Sequence, residues 1–179
     1  MANIIAYYKA KRASNLANPT SASTFVQADA STKAVFVPLA VDSGATSARF
    51  RVRARGRATT GTTSNFLAKL QYTTDVTSTN AATAGNNTDI VTLTNRSLAT
   101  ITRSWSIDIE LIWDSTSQRL TGTFLNGINS ETLETVAIVS ALTGIDLTTR
   151  KTGVVVAAIF GSTNASNVAT LDDFVVEVS

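Results

Sequence analysis

Residues 49–57 read Arg-Phe-Arg-Val-Arg-Ala-Arg-Gly-Arg, with an arginine at every second position. Because side chains alternate between the two faces of a β-strand, this spacing predicts a strand with its arginines on one face and its apolar residues on the other. A helix would spread the same residues around its axis. We call the charged face of this strand the arginine strip, and it consists of Arg49, Arg51, Arg53, Arg55 and Arg57.

The same alternation recurs elsewhere in the chain. Residues 65–73 alternate, and residues 153–160 are continuously apolar, which predicts a central strand covered on both faces. The turn signal at 114–117 predicts a hairpin in which residues 119–126 return beside residues 104–113. The first strand of this hairpin places five large apolar side chains on one face: Trp105, Ile107, Ile109, Leu111 and Trp113.

Many short alternating strands with turn signals between them predict an all-β fold, an antiparallel β-sandwich of jelly-roll type. The 179 residues fit a single domain. We predict that residues 24–179 form this domain and that residues 74–88 form a long surface loop. Residues 133–142 fit either a strand or a short helix, and we favour a strand because this segment is rich in β-branched residues. Residues 1–23 are polar and predict an extended N-terminal arm. Its candidate anchoring residues are Tyr7, Tyr8, Lys9, Lys11 and Arg12.

The composition excludes several kinds of chemistry. The chain has no cysteine and no histidine, so it offers no disulfide, thiolate nucleophile or imidazole base. We therefore expect no enzymatic activity, no cofactor and no metal. No apolar run reaches the roughly 20 residues that span a bilayer, and the N-terminus does not read as a secretory signal, so we expect no membrane partner. The 15 basic residues are nearly offset by 13 acidic ones, which argues against nucleic acid as a partner.

The arginine strip needs acidic partners, because like charges about 7 Å apart on one strand face repel each other. Asp108, Glu110 and Glu177 on neighbouring strands are one source, and the strip is then a solvated face that is balanced within the fold. An acidic surface on another protein is the second source, and a polyanion such as DNA or an acidic glycan is the third. We favour the second because five arginines outnumber three acids.

Other carboxylates and the tryptophans each allow two interpretations. Asp108 and Glu110 have the spacing of an inverting glycosidase pair, but charge balance explains them better. Asp172 and Asp173, together with Asp114 and Asn126, are candidate calcium ligands, although turn capping is the favoured interpretation. Because Trp105 and Trp113 lie on the apolar face, they are predicted to be core residues and not a sugar-stacking platform.

Three segments carry a family resemblance: FRVRARGR at 50–57, SWSIDIELIWDSTSQRLTGTFLNGIN at 104–129, and FGSTNASNVATLDDFVVEVS at 160–179. Together they resemble small β-sandwich virion proteins of tailed bacteriophages. The second and third are also similar to concanavalin/laminin-G-type jelly rolls. The resemblance implies a capsid decoration (cement) protein or a tail-associated module. Lectin-type relatives bind calcium and sugars through loop Asp and Asn residues, and no matching ligand set is identifiable here.

The favoured interpretation is a non-enzymatic structural protein that decorates and stabilises a bacteriophage capsid. Its expected partners are the major capsid protein and further copies of itself, and we favour a trimer. We expect the protein to be synthesised in the bacterial cytoplasm and to lie on the capsid surface of the virion. The alternative is a receptor- or glycan-binding module of a tail fibre. The residues expected to contact the partner are those of the arginine strip and the arm.

Overall fold

The computed structural model describes the protein over residues 6–9, 16–17, 23–27, 30–34, 36–39, 41–74, 87–134, 141–148 and 152–178. Within these ranges the regular structure is entirely β-strand and no helix occurs. No helix of the described part is therefore long and apolar enough to span a bilayer. Most of the predicted loop at 74–88, residues 135–140 of the predicted strand at 133–142, and arm residues Lys11 and Arg12 lie outside the described residues.

The described part of the chain contains seventeen strands. The strands are β1 (Ala6–Lys9), β2 (Leu16–Ala17), β3 (Ser23–Thr24), β4 (Val26–Gln27), β5 (Ala30–Ala34), β6 (Phe36–Pro38), β7 (Ser47–Thr59), β8 (Ser64–Thr73), β9 (Thr88–Thr92), β10 (Arg96–Leu98), β11 (Thr102–Asp114), β12 (Arg119–Asn129), β13 (Thr132–Leu133), β14 (Leu142–Thr143), β15 (Gly153–Phe160), β16 (Val168–Ala169) and β17 (Asp173–Val178). Four of the longer ones, β7, β11, β12 and β17, build the site described below.

Two antiparallel sheets make up the sandwich. The first sheet has the order β1-β17-β7-β11-β12-β13, with β14 added to β12 and β16 joining β7 to β2. The second has the order β10-β8-β15-β3, with β6 added to β15 and β9 added to β8. A separate pair is formed by β4 and β5. The arginine strand β7 thus lies inside the first sheet, between β17 and β11.

The core lies between the two sheets and is built by the alternation seen in the sequence. The apolar face of β7 is buried, with Phe50 and Val52 at 0% exposure, and the five inward residues of β11 are at most 1% exposed. Phe66 and Phe160 of the second sheet pack with ring centroids 5.2 Å apart. Period-2 patterning therefore determined which residues form the core, and the predicted class, an antiparallel β-sandwich of jelly-roll type, is confirmed.

Several element boundaries differ from the predicted ones. The strand predicted at 119–126 continues to Asn129, and the two short strands β9 and β10 were not predicted at all. The central strand β15 is covered on both faces as predicted, since six of its eight residues from Gly153 onward are buried in succession.

The N-terminal segment contributes strands to the sandwich. β1 pairs with β17, which places Tyr7 opposite Glu177, Tyr8 opposite Val176 and Lys9 opposite Val175 in the register. The anchoring role expected of residues 1–23 stays a prediction.

Candidate functional site

The arginine strip lies on the outer face of the first sheet, with the core on the opposite face of β7. Its five side chains remain between 44% and 71% exposed, so all of them reach solvent. The strand is flanked on both sides, by β11 and by β17, and its outer face meets side chains from each neighbour.

The acids of β11 pair with the first two arginines of the strip. Arg51 donates two hydrogen bonds to Asp108, from Nε to Oδ1 at 3.0 Å and from Nη2 to Oδ2 at 2.7 Å. Arg49 lies 3.7 Å from Glu110 through Nη1 and Oε2. Both ion pairs run diagonally between the two strands, because in the register Glu110 lies opposite Arg51 and Asp108 lies opposite Arg53. The hydrogen bond to Asp108 raises the pKa of Arg51 above its usual value.

The other three arginines pair towards β17. Arg53 forms an ion pair with Glu177, and Arg55 Nη2 lies 3.4 Å from Asp173 Oδ2. Arg57 Nε donates to Asp172 Oδ2 at 3.0 Å. Main-chain hydrogen bonds hold Asp172 in place, since its N–H donates to the carbonyl of Arg55 at 2.8 Å.

Each arginine of the strip therefore has a carboxylate partner within the fold. Sequence reasoning placed only Asp108, Glu110 and Glu177 beside the strip, and interpreted Asp172 and Asp173 as turn caps or calcium ligands. The structure pairs Asp172 and Asp173 with Arg57 and Arg55. The premise that the arginines outnumber nearby acids was wrong, because strand order is not visible in the sequence. The docking role proposed for the strip stays a prediction.

We expect the double charge reversal Arg51→Glu with Arg53→Glu to lower the melting temperature of the isolated protein at low salt. It would convert two attractive pairs into repulsive contacts with Asp108 and Glu177. Because these groups are exposed, added salt should recover part of the loss. Thermal melting at low and high ionic strength measures both effects. A melting temperature that the substitutions leave unchanged at low salt would contradict the internal balance between the arginines and their carboxylate partners.

A trough runs along the outer face of the same sheet, over the first half of β11. It consists of two adjoining depressions of about 380 Å³ and about 520 Å³ that share Arg55 and Ser106. Ser104 and Ser106 continue the outward row of β11 beyond Asp108, and their short side chains leave space between the taller side chains of β7 and β12. The other polar or partly exposed side chains at its walls are Arg53, Arg57, Asp108, Asn126, Ile128, Asp172 and Asp173.

A β-bulge in β12 positions the far wall of this trough. The register shifts between Asp108 and Ile109, which pair with Asn126 and Phe124, so that Leu125 is the extra residue. Leu125 and Asn126 are consequently both exposed, whereas regular alternation would turn Asn126 towards the core. The bulge thus brings the Asn126 amide to the trough and still buries Asn129.

A buried polar cluster fixes the end of β12. Asn129 Nδ2 donates to the carbonyls of Phe66 at 3.0 Å and Thr94 at 2.7 Å, which ties the first sheet to the second. The Glu134 carboxylate accepts from Arg96 Nε at 2.9 Å and from the Thr94 N–H at 3.0 Å. Burial by itself raises the pKa of Glu134, but these hydrogen bonds outweigh it and leave the pKa below its usual value. Sequence reasoning did not single out this cluster.

The two tryptophans are core residues, as predicted. Both are 1% exposed, and Trp105 stacks on Phe25 with ring centroids 6.2 Å apart. Trp113 Nε1 donates to the carbonyl of Ile145 at 2.9 Å. Neither ring is available as a sugar-stacking platform.

The four candidate calcium ligands do not form one site, since Asn126, Asp172 and Asp173 line the trough whereas Asp114 lies at the other end of β11. Asp114 caps its own turn, where Oδ1 accepts from the Ser117 N–H at 2.7 Å, and this hydrogen bond lowers the pKa of Asp114. Asp172 and Asp173 lie beside the arginines, as described above. Among the described residues, no group of three or more carboxylates could hold a metal ion.

Comparison with known proteins shows a likeness in fold alone. No family model matches the chain, and no curated protein matches it. Among solved structures, it is similar to peanut lectin with a 9-mer peptide (TM-score 0.43, 10% identity, covering 100% of this chain and 94% of the lectin). It is also similar to basic winged bean lectin with Tn-antigen (TM-score 0.44, 10% identity, 98% of each chain). Lectin I from Ulex europaeus, in complex with the methyl glycoside of α-L-fucose, has a TM-score of 0.42 at 8% identity, over 98% of each chain. The ligand of this chain has to be inferred from its own surface.

Proposed function

We propose that the protein is a non-enzymatic carbohydrate-binding module that takes its ligand in the trough over Ser104 and Ser106. The observation that carries the proposal is the mixture of groups at its walls, where guanidinium donors, carboxylate acceptors, hydroxyls and an amide all line one open depression. A sugar presents hydroxyls that both donate and accept hydrogen bonds, and such a mixture suits it. The volume falls within the usual range of small-ligand sites.

Charge balance on this face supports a sugar over a polyanion. The five arginines and their five carboxylate partners cancel in net charge. A DNA strand or an extended acidic surface would therefore meet as many repulsive groups as attractive ones. A small ligand can instead select individual donors and acceptors between them.

The same balance bears on catalysis and on capsid decoration. Asp108 is held by two hydrogen bonds from Arg51, so it is already engaged as a charge partner. Part of the support for capsid decoration came from arginines that outnumbered the acids placed beside them, and that part is lost because each arginine has a carboxylate partner. The resemblance to tailed-phage virion proteins then favours its alternative, a module that binds a receptor glycan.

The test is binding of the labelled protein to a printed array of neutral and acidic oligosaccharides. We expect Ser106→Phe to abolish binding, because the new ring would fill the trough. Thr123→Phe is the matched control, since Thr123 is exposed, lies opposite Glu110 on the same sheet and does not line the trough. Both variants should melt like the unmodified protein.

Two results would overturn the proposal. One is an array on which no glycan binds. The other is a Ser106→Phe protein that melts normally and binds glycans as tightly as the Thr123→Phe control.

A further inference from the structure

The two arginines beside Ser104 and Ser106 differ from the rest of the arginine strip. In the register, Arg51 and Arg53 face the acids Glu110 and Asp108 on β11, whereas Arg55 faces Ser106 and Arg57 faces Ser104. The carboxylates that pair with Arg55 and Arg57, among the described residues, are Asp173 and Asp172, both on the β17 side. On the β11 side, these two guanidinium groups therefore face hydroxyls and no carboxylate, while Asp172 and Asp173 line the trough from the β17 side.

Arg55 is the most exposed arginine of the strip. Its side chain is 71% exposed, against 44% for Arg53, and it lines both depressions of the trough. In its ion pair with Asp173, Nη2 lies 3.4 Å from Oδ2. A guanidinium carries five N–H donors in a planar fork that matches the two oxygens of a carboxylate.

From this asymmetry we infer that the trough is specific for a sugar that carries one acidic substituent, a carboxylate held by Arg55 and Arg57 above Ser104 and Ser106. The inference rests on the proposed carbohydrate-binding function and adds its ligand class. Charge-assisted hydrogen bonds are roughly twice as strong as neutral ones, so a carboxylate gains more at these two guanidinium groups than a sugar hydroxyl does.

The carboxylates at the trough walls limit the ligand to a single negative charge beside Arg55 and Arg57. Asp108, Asp172 and Asp173 surround the trough and offset the three arginines that line it. A second acidic group within a few ångströms of the first would meet one of these carboxylates. The site therefore suits an isolated acidic residue in an otherwise neutral glycan, and disfavours a densely charged polysaccharide.

The experiment uses an array of matched pairs, in which each uronate is printed beside its methyl ester, each sialylated glycan beside its asialo form, and each sulfated glycan beside the unsulfated one. The variant is Arg55→Gln, which keeps an amide donor but removes the charge. Arg119→Gln is the control, because it removes the same charge from an exposed position at the other end of β12.

We expect carboxylate-bearing glycans to bind at least tenfold more tightly than their neutral partners, and Arg55→Gln to remove this preference while Arg119→Gln retains it. Equal binding of both members of each pair would overturn the acidic specificity and leave the carbohydrate-binding proposal standing. A preference confined to sulfated glycans would overturn the carboxylate assignment. Binding of a glutamate-rich peptide as tightly as any glycan would overturn the inference as well. If the unmodified protein bound no glycan on the array, the proposed function itself would be overturned.

Discussion

Replacement of Trp113 by alanine is expected to lower the free energy of unfolding by about 3 to 5 kcal/mol, through lost burial and the cavity left behind. Trp113 is 1% exposed and lies in the core. Its Nε1 also satisfies the Ile145 carbonyl, which would lose its partner. Urea unfolding followed by circular dichroism measures the change.

Two further variants separate the contributions at this position. Trp113→Phe keeps an aromatic ring but removes the donor, and we expect a smaller loss of about 1 to 2 kcal/mol. Ile112→Ala changes the neighbouring residue on the outer face, which is 37% exposed, and should cost less than Trp113→Ala. A Trp113→Ala protein as stable as the Ile112→Ala protein would show that Trp113 does not support the core.

The substitution Gly56→Ala is expected to cost about 3 kcal/mol, although it adds only one methyl group. A Cβ at Gly56 would lie 1.9 Å from the carbonyl oxygen of Thr170 and 2.8 Å from Cζ2 of Trp105. The Thr170 segment has little room to retreat, because the Thr170 N–H donates to the Arg57 carbonyl at 2.8 Å. Relief of the clash would therefore separate this segment from β7.

Gly44→Ala provides the control for this prediction. A Cβ at Gly44 would meet no atom within 4 Å, so the same chemical change should alter stability by less than about 0.5 kcal/mol. Thermal melting of the two variants under one buffer gives the comparison. Equal melting temperatures would mean that the close approach at Gly56 relaxes without cost.

Strand faces and core could be read from the sequence, because the two-residue period is a property of the local backbone. The alternation in residues 49–57 correctly separated the arginines from Phe50 and Val52, and that in residues 104–113 correctly assigned Trp105 and Trp113 to the core. The same two-residue alternation was sufficient to predict the fold class. It also identified the guanidinium groups that form one wall of the trough.

Only the tertiary structure decided which groups meet these arginines. Asp172 and Asp173 are more than a hundred residues from Arg57 and Arg55 in the chain, and they reach them because β17 pairs with β7. Asn126 faces the trough because a bulge changes the alternation of β12. Gly56 must be a glycine because the Thr170 carbonyl approaches it. Strand order, register and close approach depend on contacts between distant segments, and a local period carries no information about them.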